Sequence, residues 1–402
     1  MIIKKHSVTW ESNPILLCAI LMNIIVIGGY FFEYPNLGLN HSISYAVILH
    51  ILLFVLYLAG YRLHRNYANS NNLIIQTTSY QITEPSFFHQ SVLLVLLLCG
   101  IFSSVYTVSY VVNTEEYLMS LMSGEIIVRG VEVASVDGGA PGFLKMATYM
   151  PLAIFGIYVI AIRQNFKLKK LNLLIFITSI FAIIFKVLFT IDRLSIIYLI
   201  IGTLMIKNKF SNSTKLLIKI FLFIIFIIFI SVTALRIDRY DDGFFGALFL
   251  YSRLGLENLQ LLIDNESPLT LGSQTLFNPI FFILDRISFF PQPIKNYDYI
   301  WNPAQYFYGH LYMDYGIMTL PIVFLYGALG SYIEIRSSIP ANRIANAFLL
   351  PMATNNFTGI GVVWLRGVEF YFVVLLIMMF KFSGISIKRL DVGKLNKHEN
   401  VD

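Results

Sequence analysis

The sequence predicts an all-α polytopic integral membrane protein, with about ten transmembrane helices and a large extracytoplasmic loop between the seventh and eighth. Of its 402 residues 57% are apolar and only 13% are charged, against roughly 45–50% and 25% in soluble proteins. The mean hydropathy is +0.70, and Ile/Leu/Phe runs of near-membrane length recur from residue 14 to residue 382. These observations exclude a soluble enzyme.

A helix needs about 20 apolar residues to cross a hydrocarbon core of about 30 Å. In lipid it is the only open structure that satisfies its own backbone. The first segment of this kind, 14–32, follows Lys4 and Lys5. It is too long for the apolar part of a cleaved signal and has no small-x-small site behind it, so it is expected to stay as an anchor. The next six are 42–61, 91–112, 146–162, 171–190, 194–206 and 216–234, and the last three are 307–333, 344–360 and 367–382.

Two connections are long. Residues 113–145 are acidic and contain glycine, while 235–306 mixes Arg, Asp, Pro and aromatic residues. Loops beyond about 12–15 residues are usually functional or disordered, and the second is too aromatic for disorder. Within it, 246–265 has apolar residues at helical spacing and places Arg253 and Glu257 at i,i+4, where they can pair. No inverted repeat of the transporter kind is visible.

The net charge of +6 is explained by topology rather than by nucleic acid, which would need a clustered basic surface. With the N-terminus inside, nineteen of the 29 Lys and Arg fall on the cytoplasmic side, at both termini and around Arg62, Arg163, Lys207 and Arg343. Both termini are therefore expected in the cytoplasm. The two cysteines, Cys18 and Cys99, lie inside apolar runs and read as small core residues rather than a disulfide.

The external cations differ in kind. The cytoplasmic set holds 13 Lys and 6 Arg, whereas the external set holds 2 Lys and 7 Arg. Guanidinium is planar, permanently charged and able to bind two oxygens at once, which suits a phosphate or pyrophosphate at a membrane surface. The alternative is that these arginines pair with Asp238, Asp241, Asp242, Glu257 and Asp285 and shape the loop. Arg193 sits in the short turn between the fifth and sixth spans. Arg236 and Arg239 are i,i+3 where the seventh span ends. Lys186, about one turn inside the fifth, can either snorkel to the interface or line an interior cavity.

His310 and Asp314 are i,i+4 in Tyr306-Phe-Tyr-Gly-His310-Leu-Tyr-Met-Asp314-Tyr-Gly316, and together could act as a proton acceptor and its orienter or as a mutual cap at the start of a helix. No HExxH, CxxC, Walker A or GxSxG sequence is present. Asp241-Asp242 is too little for a metal site and reads as a solvated turn before Gly243, so neither a metal nor a cofactor is expected.

The pattern resembles the bacterial oligosaccharide repeat-unit polymerases, the O-antigen polymerase (Wzy) family. The likeness of architecture spans nearly the whole chain. Its local carriers are Thr190-Ile-Asp-Arg193-Leu-Ser, Leu235-Arg236, Leu271-Gly272-Ser-Gln, Asn302-Pro through Tyr308-Gly309, Tyr312-Met-Asp314-Tyr-Gly316 and Gly327-Ala-Leu-Gly330. O-antigen ligases share the architecture. The resemblance implies a glycosyltransferase of the bacterial inner membrane that extends undecaprenyl-pyrophosphate-linked oligosaccharide without a metal, alongside a flippase and a chain-length regulator. It implies pyrophosphate binding by Arg193, Arg236 and Arg239, with Arg253 and Arg286 behind them. Acceptor activation falls to His310 or Asp314 on position alone. Tyr297, Trp301 and Tyr306 could stack on sugar rings, or mark the membrane interface. A flippase for the same lipid-linked oligosaccharide is the rival from another class. It would be expected to carry its cations along a central path.

Overall fold

A computed structural model of the chain describes residues 8–31, 43–70, 85–111, 146–190, 193–237, 243–264, 307–340, 342–357 and 367–380. Of the described residues 88% are helical and none forms a strand. The α-helices among them are α1 (Pro14–Gly29), α2 (Ser44–Ser70), α3 (Phe87–Val111), α4 (Met150–Arg163), α5 (Lys170–Thr190) and α6 (Arg193–Ile206). They continue with α7 (Asn212–Ile237), α8 (Gly243–Asp264), α9 (Phe307–Tyr315), α10 (Thr319–Arg336), α11 (Arg343–Phe357) and α12 (Gly367–Phe380).

Among the described residues three stretches are long and apolar enough to cross a membrane, Ser44–Ser70, Phe87–Tyr106 and Leu311–Arg336, while Pro14–Gly29, Met150–Arg163 and Leu171–Val187 are apolar but shorter. The distribution of side chains is consistent with a helical membrane protein. Ile48, Leu52 and Val55 of α2, Val95, Leu98 and Phe102 of α3, and Leu217, Phe223 and Ile224 of α7 face outward, whereas Asn13, Asn23, His50, Glu334, Asn346, Asn355 and Asn356 are buried. Outward apolar surface on this scale is unusual in a water-soluble monomer, and polar groups in a membrane turn inward toward partners.

Lipid tails are as apolar as leucine, so spanning helices associate through close packing at small residues. The α2–α10 pair shows this. A Cβ on Gly60 would strike the Phe324 carbonyl oxygen, and one on Gly327 the Tyr57 carbonyl oxygen. The two backbones thus touch where both sequences lack a side chain. Helix α1 packs on α10 and α11, and α11 also meets α6, α10 and α12. Pro151 to Ile162 of α4 are buried throughout, because α3, α5, α6 and α12 surround it. Helix α11 is buried nearly all round and carries Pro351 internally.

Three details differ from the sequence reading. The eighth apolar segment is not one helix: α9 ends at Tyr315, a 3-10 turn covers Gly316–Met318, and α10 starts at Thr319. Gly316 has φ 54°, a left-handed conformation that glycine adopts without steric cost. Cys18 is a core residue as expected, but Cys99 is exposed on the outer face of α3, since an apolar run in lipid does not imply burial in protein. The expected helix over 246–265 is α8, starting three residues earlier. The long connection 113–145 and residues 265–306 of the second loop lie outside the described residues.

Candidate functional site

Helix α8 comes from the predicted external loop, yet it packs into the bundle, against α1 and α2. Its buried side is built from Leu254, Leu256, Leu259 and Leu262. Approach is possible because α1 ends in two glycines. A Cβ on Gly28 would come within 2.5 Å of the Phe249 ring, and one on Gly29 within 2.5 Å of the Ser252 Cβ. Leu256 and Leu259 close over Val26, Ile43 and Ala46, with Tyr312 of α9 packed beside them. Gln260 then caps α2: its Oε1 accepts the Ala46 N–H at 3.0 Å, and its Nε2 donates to Asp264 at 2.9 Å. A first-turn amide without an intrahelical partner is satisfied in this way.

On the same helix Arg253 Nε donates to Glu257 Oε1 at 2.7 Å. Both side chains are almost completely buried, at 6% and 0% exposure. The i,i+4 spacing supplies the geometry, and α1 and α2 supply the walls. Removal from water makes an ion pair of this kind costly unless its geometry is good. Here the contact fixes the plane of the guanidinium, whose remaining N–H donors are on its two Nη groups.

Beside α8, helix α9 carries His310 and Asp314. Asp314 is completely buried; the His310 side chain lies outside the described residues. Tyr308, also on α9, meets His50 of α2 with ring centroids 5.0 Å apart, and Asn23 of α1 is buried, its Nδ2 donating to the Ala19 carbonyl at 2.7 Å. The Asn23 Oδ1 and, at the start of α10, the Thr319 hydroxyl are buried and have no hydrogen-bond partner among the described residues. Helices α1, α2, α8 and α9 therefore meet around buried polar groups, with Arg253, Glu257 and Asp314 as their charged members.

The remaining expectations are placed only in part. Arg193 is the first residue of α6 and Arg236 lies in the last turn of α7; their side chains are outside the described residues. Arg239, Arg286, Tyr297, Trp301 and Tyr306 lie wholly outside them. The structure therefore brings Arg253 and Asp314 to neighbouring helices and leaves the rest of the expected set unplaced. Among the described residues, no cluster of three or more His, Cys, Asp and Glu side chains suits a metal ion.

A second charged centre, absent from the sequence reading, closes the opposite end of the bundle. Glu334 of α10 is buried. Its carboxylate accepts from the Leu16 N–H at 3.0 Å, from Asn13 Nδ2 at 3.1 Å and from the Tyr61 hydroxyl. Arg65 stands 3.7 Å away and donates to the Tyr61 oxygen at 3.0 Å. Leu16 is in the first turn of α1, so this carboxylate caps a helix from another part of the chain. Nearby, Arg163 donates to the Glu11 carbonyl and to the Ser337 hydroxyl, each at 2.9 Å, and Lys209 pairs with Glu11 at 2.9 Å. Residues 11, 65, 163, 209 and 334 thus share one end.

No family model, curated protein or solved structure matches the chain.

Proposed function

We propose that the chain is a membrane glycosyltransferase that polymerises undecaprenyl-pyrophosphate-linked oligosaccharide repeat units into a surface polysaccharide. In this reading it is a ten-span protein of the bacterial inner membrane with both termini in the cytoplasm. The gathering of Glu11, Arg65, Arg163, Lys209 and Glu334 at one end agrees with the side assigned to the lysine-rich loops.

The observation that carries the proposal is α8: a segment of the longest predicted external loop packs into the bundle and against α9, holding a buried Arg253 oriented by Glu257 on the helix next to the one that carries the buried Asp314. In the reaction, an acceptor sugar hydroxyl attacks the anomeric carbon of the growing chain, and the bond to the lipid pyrophosphate breaks. The hydroxyl proton passes to a base on α9, His310 or Asp314. The departing pyrophosphate takes the electron pair, and the charge it gains is stabilised by Arg193, Arg236, Arg239, Arg253 and Arg286. Tyr297, Trp301 and Tyr306 stack on the sugars. A flippase delivers the substrate and a chain-length regulator sets the product size.

An O-antigen ligase would use the same groups with a different acceptor. A transporter of lipid-linked oligosaccharide is favoured by one observation, the buried Glu334, because ionisable groups within spans often mark transport paths. Its hydrogen-bond donors and its cap on α1 favour a structural role instead. Arg193→Ala and Arg236→Ala test the polymerase reading: each is expected to leave the protein inserted and single repeat units on the cell surface while abolishing longer chains. Normal long-chain polysaccharide in both variants contradicts it.

A further inference from the structure

We infer that the lysines gathered where the α4–α5 turn meets the α6–α7 turn dock the headgroup of an anionic phospholipid, whose acyl chains lie along the outer face of α7. Helices α4, α5 and α6 pack on one another in all pairs, and α7 packs on α6. Lys209 ties the two turns together: its Nζ donates to Asn165 Oδ1 at 3.0 Å and pairs with Glu11 at 2.9 Å.

Four further lysines stand around this junction. Lys167 lies two residues beyond Asn165, Lys207 opens the 3-10 turn after α6, and Lys215 and Lys219 are near the start of α7. Lys167, Lys207 and Lys219 have no ion pair or hydrogen bond among the described residues. Lys215 donates to the neutral Asn212 Oδ1 at 3.4 Å. Among the described residues the carboxylates of this end are Glu11, paired with Lys209, and Glu334, enclosed by Tyr61, Asn13 and Arg65. Four positive charges are thus left unanswered.

The cations of this end divide by kind. Arg65 donates to the Tyr61 oxygen, Arg163 to the Glu11 carbonyl and the Ser337 hydroxyl, and Arg336 lies over the Tyr332 ring, 5.8 Å from its centroid. These arginines join one part of the fold to another. The four lysines do not, and they are not drawn inward as Lys186 is, which is 2% exposed with its Nζ 3.3 Å from the Tyr149 ring centroid. Topology accounts for the side on which lysines lie, but not for their gathering at one junction.

Helix α7 selects a lipid over a soluble anion. Its Leu216, Leu217, Ile220, Phe223 and Ile224 are exposed, and Lys215 and Lys219, at i,i+4, sit among them. A ligand that fits both surfaces carries negative charge at one end and hydrocarbon behind it. Lysine suits this place, because its stem covers apolar surface while its head stays at the polar boundary. Lysines beside a spanning helix attract anionic headgroups, each worth about a fivefold change in affinity. The inference goes beyond the polymerase proposal, which gives these residues no role, and it requires no glycosyl transfer.

The test uses full-length protein in detergent, with lipid binding measured by native mass spectrometry. Phosphatidylglycerol is compared with phosphatidylcholine of the same acyl chains, so that only headgroup charge differs. Wild type is expected to bind phosphatidylglycerol more tightly. The double variant Lys215→Gln, Lys219→Gln is expected to lose about fivefold per lysine and to bind phosphatidylcholine as before, whereas Lys215→Arg, Lys219→Arg stays close to wild type. Arg62→Gln with Arg343→Gln removes the same charge from this end but away from α7, and is expected to stay within about twofold of wild type.

Equal binding of the two lipids by wild type overturns the inference. Equal losses in the two glutamine pairs overturn it as well, since they show a diffuse charge effect and no docking surface. If the α7 pair does not insert, Lys207→Gln takes its place, and unchanged phosphatidylglycerol binding in that variant counts against the inference in the same way.

Discussion

Glu334 is the residue whose removal should most damage the fold. Its carboxylate joins α1, α2 and α10 through the Leu16 N–H, Asn13 and Tyr61, with Arg65 at the rim. In Glu334→Ala the three donors lose their acceptor in a place water does not reach. Each buried donor left unsatisfied costs about 1–3 kcal/mol. Asn13 and Tyr61 retain each other at 2.8 Å, which limits the loss. Arg65 has 24% of its side chain exposed and can turn to solvent, so its share is small. The sum is about 3–5 kcal/mol, the range seen when a buried charged network loses one member.

Glu334→Gln keeps two of the contacts but exchanges charge-assisted hydrogen bonds for neutral ones, at about 1–2 kcal/mol. At roughly 2 °C per kcal/mol for a large chain, the alanine variant should melt about 6–10 °C below wild type in detergent, and the glutamine variant about 2–4 °C below. Protection of the amides in the first turn of α1 from hydrogen exchange should fall in parallel. A Glu334→Ala protein that melts within about 1 °C of wild type refutes the structural role and strengthens the transport reading.

Other consequences are as direct. Gly327→Leu places a side chain against the Tyr57 carbonyl, so the α2–α10 pair must separate; a loss of at least 1–3 kcal/mol is expected, seen as aggregation or a lowered melting temperature on size exclusion. Gln260→Ala removes the cap on α2 and should cost about 0.5–2 kcal/mol, by analogy with helix N-caps; faster hydrogen exchange confined to residues 44–48 is the readout. Under the polymerase proposal His310→Ala and Asp314→Ala separate the two base candidates, because the variant that keeps near-normal polysaccharide length does not carry the base.

Much of the helical pattern was legible because lipid imposes it: a run such as Leu93–Leu98 has no other stable state there. The Arg253–Glu257 pair was legible for the same local reason, since i,i+4 spacing alone makes the two side chains neighbours. The break at Gly316 was not, because Gly-Ile-Met continues an apolar run and only the backbone turn reveals it. Nor was Glu334, whose contacts with Asn13, Leu16 and Tyr61 span 321, 318 and 273 residues of sequence. A lone acid in Ile-Glu-Ile-Arg reads as a helix end until its partners are brought to it. Lys186 falls between these cases: its depth in α5 was legible, but the direction of its side chain depended on where α4 begins.

The central claim is polymerisation at the membrane, and deletion of the gene followed by electrophoretic sizing of the surface polysaccharide tests it most directly. Single repeat units still attached to the cell, with all longer chains lost and restored by the wild-type gene, is the result expected. Unchanged chain length, or accumulation of substrate on the cytoplasmic leaflet, contradicts it.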